Sequence, residues 1–373
     1  MQPFKNELHS QILTPWRSAH PRNDHQGFFQ LSEERILFFW CEYYITQPSR
    51  ARSGAYADVR SMDASPCRIS GKISSDRGRS WSDTFTLQEN IGADNVKHPN
   101  FLRLPSGRIL FSYTVRDISN QDLRIYIKAS DDECESWSES RQISSSGGVY
   151  FTNADHILMH STGRIILPCH AGPFYGEGDH WEAFCLFSDD EGNNWSESVS
   201  KIDLPKRGAE EPAIVERKEG SLLALLRTSL GRIYYSTSVD RGENWSPPEA
   251  TALDSPSSAT CVKRIPRRGD LLFLWNNTKP YSMSIPGSDA THHPRNPLSC
   301  AISRDDGKSW GMIQDIENRH GYSAGYPSVS FFDDEVFVAY YSNVNSGVAG
   351  IVSEITLKIF PLDWFYEEEP SRI

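Results

Sequence analysis

The sequence predicts an all-β protein, a single six-bladed β-propeller whose blades are four-stranded antiparallel sheets. Two repeats carry this prediction. A turn motif of the form Ser-x-Asp-x-Gly-x-x-Trp recurs five times at intervals of 50 to 65 residues, and a hairpin of two apolar runs joined by a turn recurs six times. A repeat of about 60 residues divides the chain of 373 residues into about six units, which is within the range of propeller blades.

The turn motif, here called the Asp box, has a clear physical basis. Asp and Ser side chains hydrogen-bond the backbone of a turn, Gly permits a positive φ, and Trp covers the turn with apolar area. Four copies are complete, and Cys134 occupies the glycine position of the second copy. We therefore interpret the Asp box as a structural device outside any binding site. The copies begin at Ser74, Ser130, Ser188, Ser238 and Ser303.

The hairpin repeat sets the number of blades and the extent of the domain. Glycines mark several hairpin tips, and no amphipathic helical pattern interrupts the series. The Asp boxes then belong to blades one to five. We expect residues 1–20 to be an N-terminal extension that packs on the propeller and residues 21–373 to be the propeller domain. The six hairpins begin at Phe28, Phe101, His156, Ala213, Thr260 and Ser328.

The composition limits the classes of function. The formal net charge of −11 repels polyanions, so we expect no nucleic-acid partner, although a local cluster of arginines still permits a small anionic ligand. No run approaches the roughly 18 apolar residues of a membrane span, so we expect no membrane partner. The N-terminal residues lack a basic start followed by a continuous apolar segment, which favours a cytoplasmic location and leaves export open.

The cysteines give no sign of redox or metal chemistry. There are seven, an odd number, with no Cys-x-x-Cys pair and no cluster of Cys and His. We interpret them as buried small apolar side chains. The sequence therefore predicts neither a metal site nor a cofactor, and it makes no prediction of the oligomeric state.

The residues that precede the first strand of each hairpin are unusually polar. In a propeller these first strands line the central channel, so their starts converge at one mouth. Arg227, at the end of the second strand of blade four, returns to that mouth because the second strand is antiparallel to the first. We interpret the histidines near this mouth as structural. The converging residues are Arg22–His25, Asn95–His98, Asn153–His156, Glu210, Glu211, Ser257, Ser258 and Tyr322–Tyr326.

These residues and the Asp boxes resemble the sialidase (neuraminidase) superfamily from about Arg22 to Tyr341. Such sialidases bind the substrate carboxylate with three arginines and use a Tyr nucleophile, a Glu base and an Asp acid/base. The resemblance implies Glu211 in EEPAIVERKEG as the base and Arg227 in LLRT as the second arginine. It implies Tyr326 in GYSAGYPSVSFF as the nucleophile, with Tyr322 as the alternative.

The remaining assignments depend on loops. The first arginine corresponds to Arg22 in HPRNDHQGFFQL, where the Arg-Ile-Pro that is usual in the family is absent. The third arginine corresponds to Arg295 in HHPRNPLSCAISRDDGKSW. The acid/base corresponds to Asp63 in MDASPCRISGKISSD, with Asp58 as the alternative. Asp155 is a further candidate, for contact with a substrate hydroxyl.

The resemblance implies an exo-acting α-sialidase that removes terminal sialic acid with retention of configuration. A guanidinium clamp suits the sialic acid carboxylate, and a neutral Tyr approaches the anomeric carbon without repulsion from that charge. A Tyr nucleophile is an exception to the pair of carboxylates that most glycosidases use. Two other functions remain open: an Asp-box glycosidase for another acidic sugar, and a glycan-binding propeller without catalytic activity.

Overall fold

The computed structural model describes residues 9–32, 34–45, 63, 65–118, 122–145, 148–174, 178–278, 295–344 and 352–367. It confirms the predicted six-bladed propeller of antiparallel four-stranded sheets. A short 3-10 helix, Leu362–Tyr366, follows the last strand. Within the described ranges no helix has the length and apolar character that a membrane span requires.

The chain enters through strand β1, His9–Thr14, and then builds the first three blades. Blade one consists of β2 Asn23–Gln30, β3 Ile36–Tyr43, β4 Cys67–Ser74 and β5 Phe85–Gln88. Blade two consists of β6 Asn95–Arg103, β7 Ile109–Ile118, β8 Asp122–Ser130 and β9 Arg141–Gln142. Blade three consists of β10 Gly148–Thr152 with β11 Leu158–Met159, β12 Ile165–Gly172, β13 Glu182–Ser188 and β14 Ser196–Glu197. A short parallel pairing of β8 with β10 joins blades two and three.

The last three blades repeat the same order from the channel outwards. Blade four consists of β15 Glu210–Glu216, β16 Leu222–Arg227, β17 Arg232–Ser238 and β18 Glu249–Asp254. Blade five consists of β19 Cys261–Arg264, β20 Leu271–Asn276, β21 Leu298–Ser303 and β22 Gly311–Glu317. Blade six contains β23 Tyr322–Phe332, β24 Glu335–Val344 and β25 Glu354–Pro361.

Strand β1 supplies the outer strand of blade six. It pairs antiparallel with β25, with His9 opposite Ile359 and Gln11 opposite Leu357. The sheet order is therefore β23, β24, β25, β1. Residues His9–Thr14 are thus a strand within the last sheet and not a segment laid on its surface, and the expected domain division at residue 20 stays a prediction. Because both ends of the chain contribute to this blade, main-chain hydrogen bonds hold the ring closed.

The cores lie between neighbouring blades. Phe28 and Trp40 of blade one pack with Phe337 and Ile359 of blade six. The second strands β16 and β20 are buried along their whole length. A strand covered on both faces reads as a continuous apolar run, which explains the apolar second halves of the six hairpins.

The Asp boxes have the geometry that their sequence predicts. In the box of blade three, Ser188 Oγ donates to Asp190 at 2.8 Å, and the Gly192 amide donates to Ser188 Oγ at 2.9 Å. The Asn194 amide donates to Asp190 at 2.8 Å. In the second box Cys134 adopts the glycine-like φ of +70°. All seven cysteines are free thiols.

The glycine of the fifth box separates two physical effects that a substitution would have. Gly307 has φ +85°, and a Cβ atom there would lie 2.3 Å from Leu223 Cδ2. Gly220, at a hairpin tip, has φ +87° with no atom within 4 Å of the added carbon. Gly220→Ala therefore has only the conformational cost of about 1–2 kcal/mol. We expect Gly307→Ala to lose a further ~1–3 kcal/mol through overlap with Leu223.

Urea unfolding followed by tryptophan fluorescence compares the two variants with the unmodified chain. Equal losses of stability in Gly307→Ala and Gly220→Ala would contradict the tight contact between the Asp box and Leu223.

Candidate active site

Five inner strands turn one side chain each into the channel mouth through the same backbone device. Each has a non-glycine residue with positive φ where the strand register shifts or is interrupted. Bulges of this kind re-aim a side chain and recur beside active sites. The residues and their φ values are His25 (51°), His98 (57°), Asp155 (60°), Glu211 (42°) and Tyr326 (49°).

Glu211 links the residues of blades four and six. Tyr326 Oη donates to Glu211 Oε1 at 3.0 Å, and Arg227 Nη1 donates to Glu211 Oε2 at 2.8 Å. Arg227 Nη1 also lies 3.4 Å from Tyr326 Oη. Glu211 and Arg227 are only 8% and 9% exposed. The carboxylate thus meets a phenol on one oxygen and a guanidinium on the other.

Arg295 lies on the other side of the Tyr326 ring. Its guanidinium carbon is 5.5 Å from the ring centroid, and its Nη1 donates to Tyr341 Oη at 2.8 Å. Its Nη2 donates to the Ser257 carbonyl at 3.2 Å, while Arg227 Nε donates to Ser257 Oγ at 3.0 Å. Ser257 of blade five therefore holds both arginines. In the described residues no carboxylate lies within ion-pair distance of Arg295.

Arg22 and Asp63 form a second group. Arg22 Nη1 donates to Asp63 at 2.6 Å, and Arg22 Nε donates to Asp24 at 2.6 Å. The guanidinium carbon lies 4.5 Å from the centroid of Tyr43. Lys97 Nζ is 3.9 Å from the Asp63 carboxylate. Arg22 is thus bound to two carboxylates, unlike Arg295.

His25 lies between the two groups. Its ring centroid is 4.1 Å from that of Tyr326, and it follows Asp24 in the chain. The structure therefore brings Glu211, Arg227, Arg295 and Tyr326 into one cluster, with Arg22 and Asp63 beside it. The chemical roles that the sequence predicts for these residues stay predictions.

Burial and charge set the ionisation of the central pair. Burial would raise the pKa of Glu211, but the neighbouring positive charges, with Arg227 the strongest of them, together outweigh burial and lower this pKa to about 2. Burial raises the pKa of Tyr326, and the Glu211 charge raises it further. At neutral pH the pair is therefore an ionised Glu211 carboxylate that accepts a hydrogen bond from the neutral Tyr326 phenol. In this protonation state the carboxylate can take the proton of the phenol.

Three other sequence candidates lie apart from the cluster or outside the described residues. Tyr322 packs on Arg319, with the guanidinium carbon 4.2 Å from its ring centroid. Asp58 lies outside the described residues. Asp155 lines a channel cavity of about 250 Å³, where its carboxylate is 3.4 Å from Lys263 Nζ. Its role in substrate binding stays a prediction.

Sequence reasoning missed Arg207, which extends the charged network. Arg207 makes two hydrogen bonds with Asp179, at 2.8 and 3.0 Å, and lies 3.3 Å from Glu210. Glu210 in turn lies 4.0 Å from Arg227 Nε. Burial raises the pKa of Glu210. No motif announces Arg207, because it precedes the inner strand of blade four by a loop.

A histidine that the sequence predicts to be structural lies beside Glu211. The His170 Nδ1 atom accepts a hydrogen bond from the Glu211 amide at 3.2 Å. Three of the five mouth positions carry a sequence signal, a following proline, namely His98, Glu211 and Tyr326. Within the described ranges no group of three or more His, Cys, Asp or Glu side chains is arranged to hold a metal ion.

Comparison with known proteins agrees with this architecture. The model of the BNR repeat-like domain family matches residues 60–338. A protein of Macrobdella decora named anhydrosialidase is 34% identical over 200 residues, which cover 52% of this chain and 24% of that protein. The chain thus spans about a quarter of the length of this curated relative.

Solved structures share the fold at low sequence identity. A Dyadobacter fermentans protein of unknown function has a TM-score of 0.74 and 16% identity, with 96% of this chain and 100% of that chain covered. An intramolecular trans-sialidase from Ruminococcus gnavus, in complex with oseltamivir carboxylate, has a TM-score of 0.71 and 14% identity, with 96% and 99% covered. The chain belongs to the BNR repeat-like domain family, and its propeller has the fold of the sialidase superfamily.

Proposed function

We propose that this protein is an exo-acting, retaining sialidase that removes terminal sialic acid from glycans. The observation that carries the proposal is the hydrogen-bonded series Tyr326, Glu211 and Arg227, with contacts of 3.0 and 2.8 Å at a channel mouth. A phenol that donates to an ionised carboxylate has its proton acceptor already in place, which is the arrangement that covalent catalysis by a hydroxyl group needs.

The arginines account for the choice of an anionic substrate. Arg227 and Arg295 carry two permanent charges into the mouth, and a planar carboxylate of a sugar satisfies their free N–H groups. The charge of Arg227 is already paired with Glu211. A ligand anion would therefore neutralise the charge of Arg295. Arg22 contributes a third guanidinium beside them, which holds Asp63 in place.

The substrate charge also accounts for a phenol in place of a carboxylate nucleophile. An Asp or Glu anion at ~4 Å from a sugar carboxylate would meet a repulsion of about 4 kcal/mol at an effective dielectric near 20. Neutral Tyr326 avoids this repulsion. As its oxygen bonds to the anomeric carbon, its proton passes to Glu211 Oε1, the atom to which it already donates.

Asp63 is the acid/base of the proposed reaction. Its carboxylate is ion-paired with Arg22 in this structure, so it has to take up a proton before it acts as the acid. It then gives that proton to the glycosidic oxygen as the bond to the anomeric carbon breaks. The resulting carboxylate then takes a proton from the water that displaces the sugar from Tyr326, and Glu211 returns its proton to the Tyr326 oxygen as that bond breaks. Two inversions at the anomeric carbon leave its configuration unchanged.

His170 positions the base. It is 5% exposed, and its Nδ1 accepts the amide hydrogen of Glu211, which supports the left-handed backbone there. This hydrogen bond requires an unprotonated Nδ1. Burial lowers the pKa of His170 to about 4, in agreement with that requirement.

The relatives support the proposal at the level of the reaction class. The Macrobdella decora relative is named anhydrosialidase, and the Ruminococcus gnavus structure is an intramolecular trans-sialidase. Because both names concern sialic acid, sialosides are the first substrates to test. Because one of them names intramolecular transfer, the released sugar has to be identified and not only quantified.

A glycosidase for another acidic sugar is the second candidate. The observation that favours it is the double ion pair of Arg22 with Asp24 and Asp63, which leaves fewer guanidinium groups for the substrate anion. Turnover of a glucuronide or galacturonide, with none on α-sialosides, would establish this alternative.

Of the predictions that test this function, the first concerns the nucleophile. Tyr326→Phe removes the attacking oxygen, and we expect release of 4-methylumbelliferone from its α-sialoside to fall at least about 1000-fold, the scale seen when an enzyme loses its nucleophile. Tyr322→Phe is the matched control and retains activity, because that ring packs on Arg319. Proton NMR of the first-formed product should give the α-anomer. Full activity in Tyr326→Phe would refute the mechanism.

The second prediction concerns the acid. A sugar leaving group needs a proton from the acid, whereas an aryl alcohol leaves without one. A sugar substrate and an aryl substrate therefore distinguish proton donation by Asp63 from its ion pair with Arg22. We expect Asp63→Asn to lose about 10²–10⁴-fold in kcat/KM on 3′-sialyllactose and much less on the 4-methylumbelliferyl sialoside. Equal losses on both substrates would show that Asp63 acts only through Arg22.

The third prediction concerns pH and His170. Its folded-state pKa of about 4 lies below the unfolded value of about 6.5, so folding disfavours the protonated ring. The stability that this provides is complete above the unfolded pKa and is lost as the pH falls towards 4. Between pH 7.5 and pH 5 the loss is about 2 kcal/mol.

The variant His170→Asn keeps an acceptor for the Glu211 amide but does not titrate. We expect its free energy of unfolding, measured by urea titration at both pH values, to fall by less than that of the unmodified chain. An identical pH dependence in the two proteins would exclude His170 as a source of acid sensitivity.

A further inference from the structure

Two buried histidines form a stack against the proposed nucleophile. The ring of His25 lies 4.1 Å from the Tyr326 ring and 4.5 Å from the ring of His98, measured between centroids. The interplanar angle of the two imidazoles is 29°. Both residues are nearly buried, with 3% and 4% exposure. The stack therefore lies directly against the ring of the proposed nucleophile.

The stack occupies positions that carry the proposed chemistry in other blades. His25 and His98 have the same left-handed backbone and the same bulge at the start of the inner strand as Glu211 and Tyr326. By the pseudo-symmetry of the propeller, His25 and His98 thus occupy the positions in their blades that Glu211 and Tyr326 occupy in theirs. Left-handed backbone at a non-glycine residue costs about 1–2 kcal/mol, so it calls for a reason at each position.

The ring nitrogens are incompletely satisfied. Nδ1 of His25 and Nδ1 of His98 are buried without a hydrogen-bond partner in the described residues. The Asp24 carboxylate lies 3.8 Å from His25 Nδ1, beyond hydrogen-bond distance. Other buried histidines differ: His156 contacts the carbonyls of Ala154 and Thr260, and His170 accepts from Glu211. Buried polar atoms of folded proteins are normally paired, so unpaired imidazole nitrogens beside a channel mouth point to a missing partner.

The imidazoles are neutral donors and acceptors. Burial lowers the pKa of His25 to about 4 and takes that of His98 well below its usual value. A neutral imidazole offers one N–H donor and one acceptor nitrogen. This pattern matches sugar hydroxyl groups, which both donate and accept, and not a carboxylate, which only accepts and which Arg227 and Arg295 already suit.

We propose that His25 and His98 form an imidazole subsite that hydrogen-bonds the ring hydroxyl groups of a carboxylate-bearing sugar held against Tyr326. The proposal rests on the proposed function for the position of the sugar, and it adds a determinant of specificity. Because a site built to hydrogen-bond a hydroxyl group rejects an analogue that lacks it, the subsite selects acidic sugars by their hydroxyl pattern.

The test separates hydrogen bonding from packing. His25→Phe keeps the aromatic stack and removes the nitrogens, whereas His25→Asn removes the stack, keeps polar atoms near Nδ1 and suits the left-handed backbone. The probes are 2-deoxy-2,3-didehydro-N-acetylneuraminic acid and D-galacturonic acid, with affinity measured by calorimetry. His180→Phe, at an exposed position, is the control, and melting curves verify folding.

We expect His25→Phe and His98→Phe to weaken binding of the probe that the unmodified protein binds by about tenfold or more, and His25→Asn to weaken it less. Analogues of the probe that each lack one ring hydroxyl identify the hydroxyl that His25 contacts. Loss of that hydroxyl weakens binding to the unmodified protein but does not weaken binding to His25→Phe further, because the hydroxyl and the imidazole form the same hydrogen bond. Affinity within twofold in His25→Phe would overturn the proposal.

The outcomes also separate this inference from the proposed function. If Tyr326→Phe abolishes turnover while His25→Phe binds normally, only the subsite is wrong. If no sialoside is cleaved but galacturonic acid binds through His25, the proposed substrate is wrong and the subsite stands. Binding of neither acidic sugar overturns both.

Discussion

The carboxylate of Glu211 is the point on which the charges of the channel mouth depend. It is buried, and an unpaired buried carboxylate would be strongly destabilising. Arg227 compensates its charge on one oxygen and Tyr326 occupies the other. The same contacts that make this carboxylate tolerable in the fold also give it the hydrogen-bonding arrangement of a base beside a phenol. Stability and the proposed chemistry therefore place the same demand on these side chains.

The propeller is what brings such side chains together. Glu211 and Tyr326 are 115 residues apart in the chain, and they meet because every inner strand begins at the same mouth. The left-handed residue that recurs in five of the blades then turns one side chain inwards in each of them. Closure of the ring through β1 and β25 fixes blade six against blade one, so the position of Tyr326 depends on residues near both ends of the chain. A site spread over several blades thus requires the whole ring.

The charge pattern of the mouth is uneven, and that unevenness bears on substrate choice. Arg22 is bound to Asp24 and Asp63, whereas Arg295 has only neutral partners in the described residues. A ligand anion gains most from a guanidinium that no carboxylate has neutralised, so the side of the mouth with Arg295 attracts it more strongly than the side with Arg22. Between the two sides lie neutral imidazoles, which suit hydroxyl groups. The mouth therefore has an uncompensated positive charge on one side only, whereas three equivalent arginines would distribute the charge evenly.

The number of blades, the Asp-box turns and the residue types at the channel mouth could be predicted without coordinates. Each depends on a local pattern: turn chemistry, alternating apolar runs or residues that precede a strand. The resemblance to sialidases also brought Glu211, Arg227, Arg295 and Tyr326 forward as one set, together with Arg22 and Asp63. Four other features became visible only in the folded chain: β1 completes blade six, two carboxylates bind Arg22, Arg207 joins the network and His25 stacks on Tyr326. These features arise from contacts between distant parts of the chain, as in the 330-residue separation of Asn23 and Ser353, and no local pattern encodes which distant partner a buried polar group will meet.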